Sequence, residues 1–289
     1  MAVGDQAVSG EKCRLNEVLT DLYKNKDQRS IKSMEEDIKE RLKVMNGVQM
    51  KAALNDIFSE VLPKVDDKDI DDIVKAILND TIKNLLKCGK TPNDLMKMGY
   101  SVDDLVSAGI DPNVLPGYQH LVEGEGLIRK SAQVKGAHNM EEFYKALKED
   151  ANSLGLDFCS YEEFCEAVGD GSKSVGGVYN IRITRNLNVD GIYEVEYDIP
   201  KVNGNTNPIK VLYDDGVIQS KPANDVKTVY DPKIYSDAEI YTMGKHLLED
   251  QIAKGNISGR YVTGTINNIK FLGYLDDAGN LTNFHPVIK

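Results

Sequence analysis

A chain of 289 residues is long enough for two ordinary domains, because single hydrophobic cores stop growing near ~250–300 residues. With 41% hydrophobic and 28% charged residues the composition is that of a soluble protein; no run approaches the ~18–20 apolar residues of a membrane helix, so stable membrane insertion is not expected. The net charge is −11, and −7 from Ser131 onward (16 Lys and Arg against 23 Asp and Glu), which argues against nucleic-acid binding through a broadly basic surface.

The N-terminal residues Met1 to Asp5 show no charged segment followed by an apolar run, so no signal peptide is expected. A secreted route would then come from outside this chain, for example from a larger precursor. Residues from about 14 to 130 read as helical. Leu15, Val18, Leu19 and Leu22 recur at helical spacing, as do Leu54, Ile57, Phe58, Val61 and Leu62; Pro63 ends that helix. Ile70, Ile73, Val74, Ile77 and Leu78 begin the next. A ten-residue repeat follows, starting at Lys90, Tyr100 and Ile110. Each unit has a cap-like polar residue, about two helical turns and, in the first two, a closing glycine. Stacked short helices should bury Leu95, Leu105 and Leu115. The four cysteines, Cys13, Cys88, Cys159 and Cys165, suit neither a disulfide scaffold nor a zinc site; free thiols are expected, with a Cys13–Cys88 bridge as the alternative.

Three glycines between Gly117 and Gly126 mark a candidate boundary, giving an all-helical N-terminal domain over 1–126 and a second domain over 127–289. In the second, helices are predicted near 139–153 and 160–168. Val178–Thr184 and Ile192–Ile199 alternate apolar and polar residues as half-buried antiparallel strands do. A helix from Ser236 to about Lys254 and strands over Arg260–Ile266, Ile269–Leu275 and Leu281–Val287 complete the pattern. The class is α+β, with one antiparallel sheet packed on helices.

RNA cleavage without a metal needs a base for the 2′-OH proton, an acid for the 5′ oxygen, and a cation or donors for the phosphorane. Histidine suits the first two, and the chain has four. His120, in the glycine-rich linker, and His246, mid-helix, are expected to be structural. His138 stands just before a helix start, behind Gly136 and ahead of the capping residue Asn139. His285 lies on the final strand; alternation puts Phe284 on one face and Asn283 with His285 on the other, so a core that takes Phe284 leaves His285 facing out. A further segment, Val226 to Lys233, gathers a cation (Lys227), a hydroxyl (Thr228), a phenol (Tyr230) and a carboxylate (Asp231) within five residues; an ordinary edge strand is the alternative reading.

Three pieces together, Glu196-Tyr-Asp-Ile-Pro200, Lys227-Thr-Val-Tyr-Asp-Pro232 and Gly273 through Asn283-Phe-His-Pro286, joined by the upstream Val134-Lys-Gly-Ala-His-Asn139, resemble the C-terminal toxin domains of contact-dependent growth inhibition proteins. More closely, they resemble those that act as tRNases with the barnase/EndoU/colicin/RelE-type fold. The resemblance covers roughly residues 127–289. It implies His285, Lys227, Thr228 and Tyr230 as catalytic residues, with His138 and Asp231 as further candidates and no cofactor or metal. It also implies delivery as the tail of a large cell-surface protein into a neighbour's cytoplasm, with the preceding half acting in translocation. The implied partners are tRNA, a cognate immunity protein and, in some relatives, the elongation factor EF-Tu presenting aminoacyl-tRNA. A carrier of that kind would remove the need for a basic surface. Two other readings compete: a metal-dependent DNase toxin, for which no Lys follows Glu194 and Glu196 at the required place, and a non-enzymatic acidic binding module.

Overall fold

The computed structural model describes residues 67–170, 173–204 and 209–288. The helices expected between 14 and 62, and Cys13, lie outside the described residues. The chain divides into two compact units between Val114 and Leu115, ahead of the glycine-rich segment where the sequence suggested the division.

The described part of the first unit is helical. Helix α1 (Asp67–Lys87) buries Val74, Leu78 and Ile82, one residue per turn along a single face. The repeat forms α2 (Pro92–Lys97) and α3 (Val102–Ser107), followed by a 3-10 turn at Pro112–Val114. Both short helices open with a reciprocal capping box, Thr91 with Asp94 and Ser101 with Asp104, and each buries its central leucine, Leu95 or Leu105. Gly99 and Gly109, at φ near +86° and +88°, stop the helices where the sequence expects. Cys88 is a free thiol.

The second unit begins with α4 (Tyr118–Leu121) and the hairpin β1 (Gly126–Ile128) and β2 (Gln133–Lys135). Helices α5 (Met140–Ser153) and α6 (Tyr161–Asp170) follow, then β3 (Ser174–Val175), β4 (Ile181–Arg185), β5 (Ile192–Glu196) and β6 (Asp198–Pro200). Two small ribbons are made by β7 (Tyr213–Asp214) with β8 (Val217–Ile218), and by β6 with β9 (Ser220–Pro222). Strand β10 (Lys227–Tyr230), helix α7 (Asp237–Ala253) and β11 (Ile257–Ser258) to β14 complete it, with β12 at Tyr261–Ile266, β13 at Ile269–Leu275 and β14 at Leu281–Val287. Among the described residues, no helix is long and apolar enough to cross a membrane.

The α+β class stands, but the strands are shared between two four-stranded antiparallel sheets, ordered β10-β5-β4-β3 and β11-β12-β13-β14, where one was expected. The reason is visible at β10. Its inner edge pairs with β5, while on the other side the Tyr230 amide donates to the carbonyl of His138, 2.8 Å away. The backbone at 138–139 thus caps this edge and keeps it from joining β14, which lies beside it. The first sheet packs on α5 and α6 around Phe143, Leu147, Phe164, Tyr179, Ile183 and Val195. The second lies under α7, which comes close because position 244 is glycine: a Cβ there would sit 2.7 Å from the rings of Phe271 and Phe284. Cys159 and Cys165 are free thiols.

Candidate active site

Four segments far apart in sequence meet where the two sheets adjoin. The first two are locked to each other through backbone. The Ala137 amide donates to the His120 carbonyl at 3.0 Å, and the His138 amide to the Leu121 carbonyl at 2.7 Å. The segments cross so tightly that both contact points are glycine: a Cβ on Gly124 would lie 2.3 Å from the Ala137 nitrogen, and one on Gly136 would lie 2.5 Å from the His120 oxygen. Both glycines also have positive φ, +71° and +66°, so the backbone path itself disfavours a side chain there. The crossing sets the imidazoles of His120 and His138 side by side, 5.8 Å between ring centres. Asn139 then starts α5, its Oδ1 accepting from the amides of Glu141 and Glu142.

β10 supplies Lys227 and β14 supplies His285. The Lys227 ammonium is buried and donates to the carbonyl of Gly136, with the Val134 carbonyl and His138 Nε2 each 3.4 Å away. His138 Nδ1 lies 2.6 Å from the Thr228 carbonyl. A carbonyl only accepts, so Nδ1 carries the proton, and Nε2 presents its lone pair toward Lys227. His285 stacks flat on His138, with ring centres 4.3 Å apart and planes within 8°. Its Nδ1 is buried and has no hydrogen-bond partner among the described residues. A lone pair is cheaper to bury unmet than an N–H, which assigns the His285 proton to Nε2. These residues line a cavity of about 540 Å³, together with Tyr197, Asp225, Tyr274 and Asn283.

Electrostatics follows from burial. Desolvation draws the Lys227 pKa from 10.5 to about 7, although the acceptors around the ammonium favour its charged form. Desolvation first, and the Lys227 charge second, lower His120 to about 4 and His285 to about 3, and hold His138 well below the ordinary histidine range. Near neutrality the three imidazoles are therefore neutral, and Lys227 stands close to its own titration point. The negative charge of a bound phosphodiester would oppose this effect and raise all four values. Among the described residues, no group of three His, Cys, Asp or Glu side chains is arranged to hold a metal ion.

The family profile described as bacterial EndoU nuclease matches residues 116–288, more than half of the chain. The chain belongs to this family. The match spans all four segments of the EndoU cleft, and so bears out the likeness carried by the motifs. A curated relative, the tRNA nuclease CdiA of Yersinia mollaretii, is 27% identical over 173 residues, which are 58% of this chain and 4% of that protein. The chain thus spans a small fraction of the length of the relative it matches.

Within the EndoU cleft the structure brings together three of the six residues singled out from sequence: His285, Lys227 and His138. Thr228 contributes its carbonyl to His138. Tyr230 and Asp231 lie elsewhere. The Tyr230 hydroxyl donates to Asp237 Oδ1 at 2.5 Å; Asn139 Nδ2 donates to the same oxygen at 2.8 Å, so this phenol braces the residue next to His138. Asp231 accepts from the amide of Lys233 in a turn. His285, expected to face out, does leave the core to Phe284, but its outward face is roofed by the 120–138 crossing. His120, read as a linker residue, also lines this cavity. A signal was present: His120 is followed four residues later by Gly124, and His138 is preceded two residues earlier by Gly136, the two glycines that make the crossing.

Proposed function

We propose that the EndoU unit is an endoribonuclease that cleaves tRNA by attack of a ribose 2′-OH on the adjacent phosphorus, without a metal ion. The observation that carries the reading is the convergence of His120, His138 and buried Lys227 on one cavity. His138, its Nδ1 proton held by Thr228, takes the 2′-OH proton on Nε2. The 2′ oxygen bonds to phosphorus, the bond from phosphorus to the 5′ oxygen breaks, and His120, which takes up a proton when the bound phosphodiester raises its pKa, passes it to the departing oxygen. The products are a 2′,3′-cyclic phosphate and a 5′-hydroxyl. The Lys227 ammonium offsets charge on the phosphorane, supplying the positive charge at this centre. His285 holds the His138 ring by stacking and donates from Nε2.

The name of the Yersinia relative, and the small part of it that this chain matches, support delivery of the unit as the tail of a large cell-surface toxin into a target cell. On this reading the first unit serves in translocation. A cognate immunity protein covers the cleft, and a carrier such as EF-Tu brings tRNA to an enzyme with a net charge of −11. The test is purified chain with total tRNA in excess EDTA, followed by mapping of the new termini. Cyclic-phosphate ends that disappear in His120→Ala and His138→Ala are expected. Intact tRNA with normal growth on cytosolic expression, or activity that dies in EDTA, would overturn the proposal.

A further inference from the structure

We propose that the open face of the β11–β14 sheet is a stacking track for the unpaired RNA strand that leaves the cleft, with Tyr261 as its outermost platform. This rests on the ribonuclease reading and extends it to the class of RNA accepted. Register places Tyr261, Tyr274 and Asn283 in one cross-strand row, and Thr263, Leu272 and His285 in the next. The intervening residues Val262, Phe271 and Phe284 are buried on the opposite face, where α7 packs, so the tyrosine face is the open one. Its aromatic rings form a continuous series into the catalytic centre. Tyr261 to Tyr274 is 5.5 Å, Tyr274 to His285 is 5.8 Å and His285 to His138 is 4.3 Å. Tyr261 is half exposed and Tyr274 lines the cavity itself, so the track is continuous with the cleft.

Charge agrees. The chain carries 46 Asp and Glu, yet those two rows hold none, and the third row of the face adds Lys270. A tyrosine ring offers any base a stacking surface, but only a base that has left its own helix can use it. An unpaired loop or tail is therefore accepted, and duplex RNA is not.

The experiment uses the full chain and a 12-nucleotide unstructured RNA, with a dinucleotide too short to reach Tyr261 as control. Tyr261→Ala is expected to raise KM for the long RNA by about tenfold, the scale of losing one stacked base. It should leave kcat and all dinucleotide kinetics unchanged, and Tyr261→Phe should restore KM. An all-deoxy version of the long strand, which lacks the attacking hydroxyl, should lose affinity in the same ratio. Equal effects on both substrates, or none on either, would overturn the track; the second result is also what a face reserved for a protein partner would give. Failure of the wild-type chain to cut tRNA as well as both short RNAs would instead sink the ribonuclease reading, and loss of deoxy-strand binding in Tyr261→Ala would then still decide the track.

Discussion

Replacing Lys227 by methionine should make the protein more stable and nearly inactive at once. Desolvation draws this ammonium from 10.5 to about 7, and at ~1.36 kcal/mol per pH unit its burial costs the fold about 4–5 kcal/mol near neutrality. The acceptors at Gly136, Val134 and His138 return about 1 kcal/mol each. The net expectation for the apolar isostere is a gain of roughly 1–2 kcal/mol. For a unit of this size that raises Tm by about 2–8 °C. The sign of the pH dependence is a second check. The folded pKa lies below the unfolded one, so the unfolded chain binds the extra proton between about pH 7 and 10.5. Wild-type stability therefore rises with pH across that window, and the Lys227→Met slope should be flatter there. Activity should fall by at least ~100-fold, as on loss of one transition-state charge partner. Thermal melts from pH 6 to 10, with tRNA cleavage in parallel, decide the matter. A lower Tm in the variant, or a surviving slope, would refute the account of Lys227 as a destabilising cation kept for its chemistry.

The same pKa predicts that kcat/KM declines as pH rises through about 7, when Lys227 loses its proton in the free enzyme; Lys227→Arg, charged at all these values, should move the alkaline limb upward by more than ~1 pH unit. Gly136→Ala forces a Cβ to within 2.5 Å of the His120 oxygen at a φ of +66°, and should lower both Tm and cleavage, with kcat down at least ~10-fold because the two imidazoles separate. Tyr230→Phe removes a part-buried hydrogen bond to the Asp237 carboxylate; we expect a loss of ~1–3 kcal/mol in denaturant melts with kcat within about threefold of wild type. A kcat loss of ~100-fold with unchanged stability would return Tyr230 to the catalytic set.

Much of the architecture was legible because it depends on near neighbours. Periodicity marked α5, α7 and strands β12 to β14 close to their observed bounds, and the capping boxes at Thr91, Ser101 and Ser236 need only residues three apart. The motifs around His138, Lys227 and His285 carried the family likeness for the same reason. Tyr230 and Asp231 entered the candidate list because they share Lys227's stretch of sequence. Alternation along β10 turns Tyr230 away from the face of Lys227, however, and Asp231 lies past the strand in a turn, so of these three only Lys227 lines the cleft.

By itself, then, the sequence determined the helical repeat, the α+β class and, through the motifs around its histidines and Lys227, the family likeness. Only the tertiary structure decided that His120 joins the site, that the strands part into two sheets, and that Lys227 sits in a medium poor enough in water to lower its pKa. Each of these turns on what a group meets from a distant segment: a carbonyl across a glycine crossing, a backbone capping a strand edge, or the exclusion of solvent around an ammonium. Burial and hydrogen-bond saturation are sums over the whole fold, and no local pattern of residues contains them.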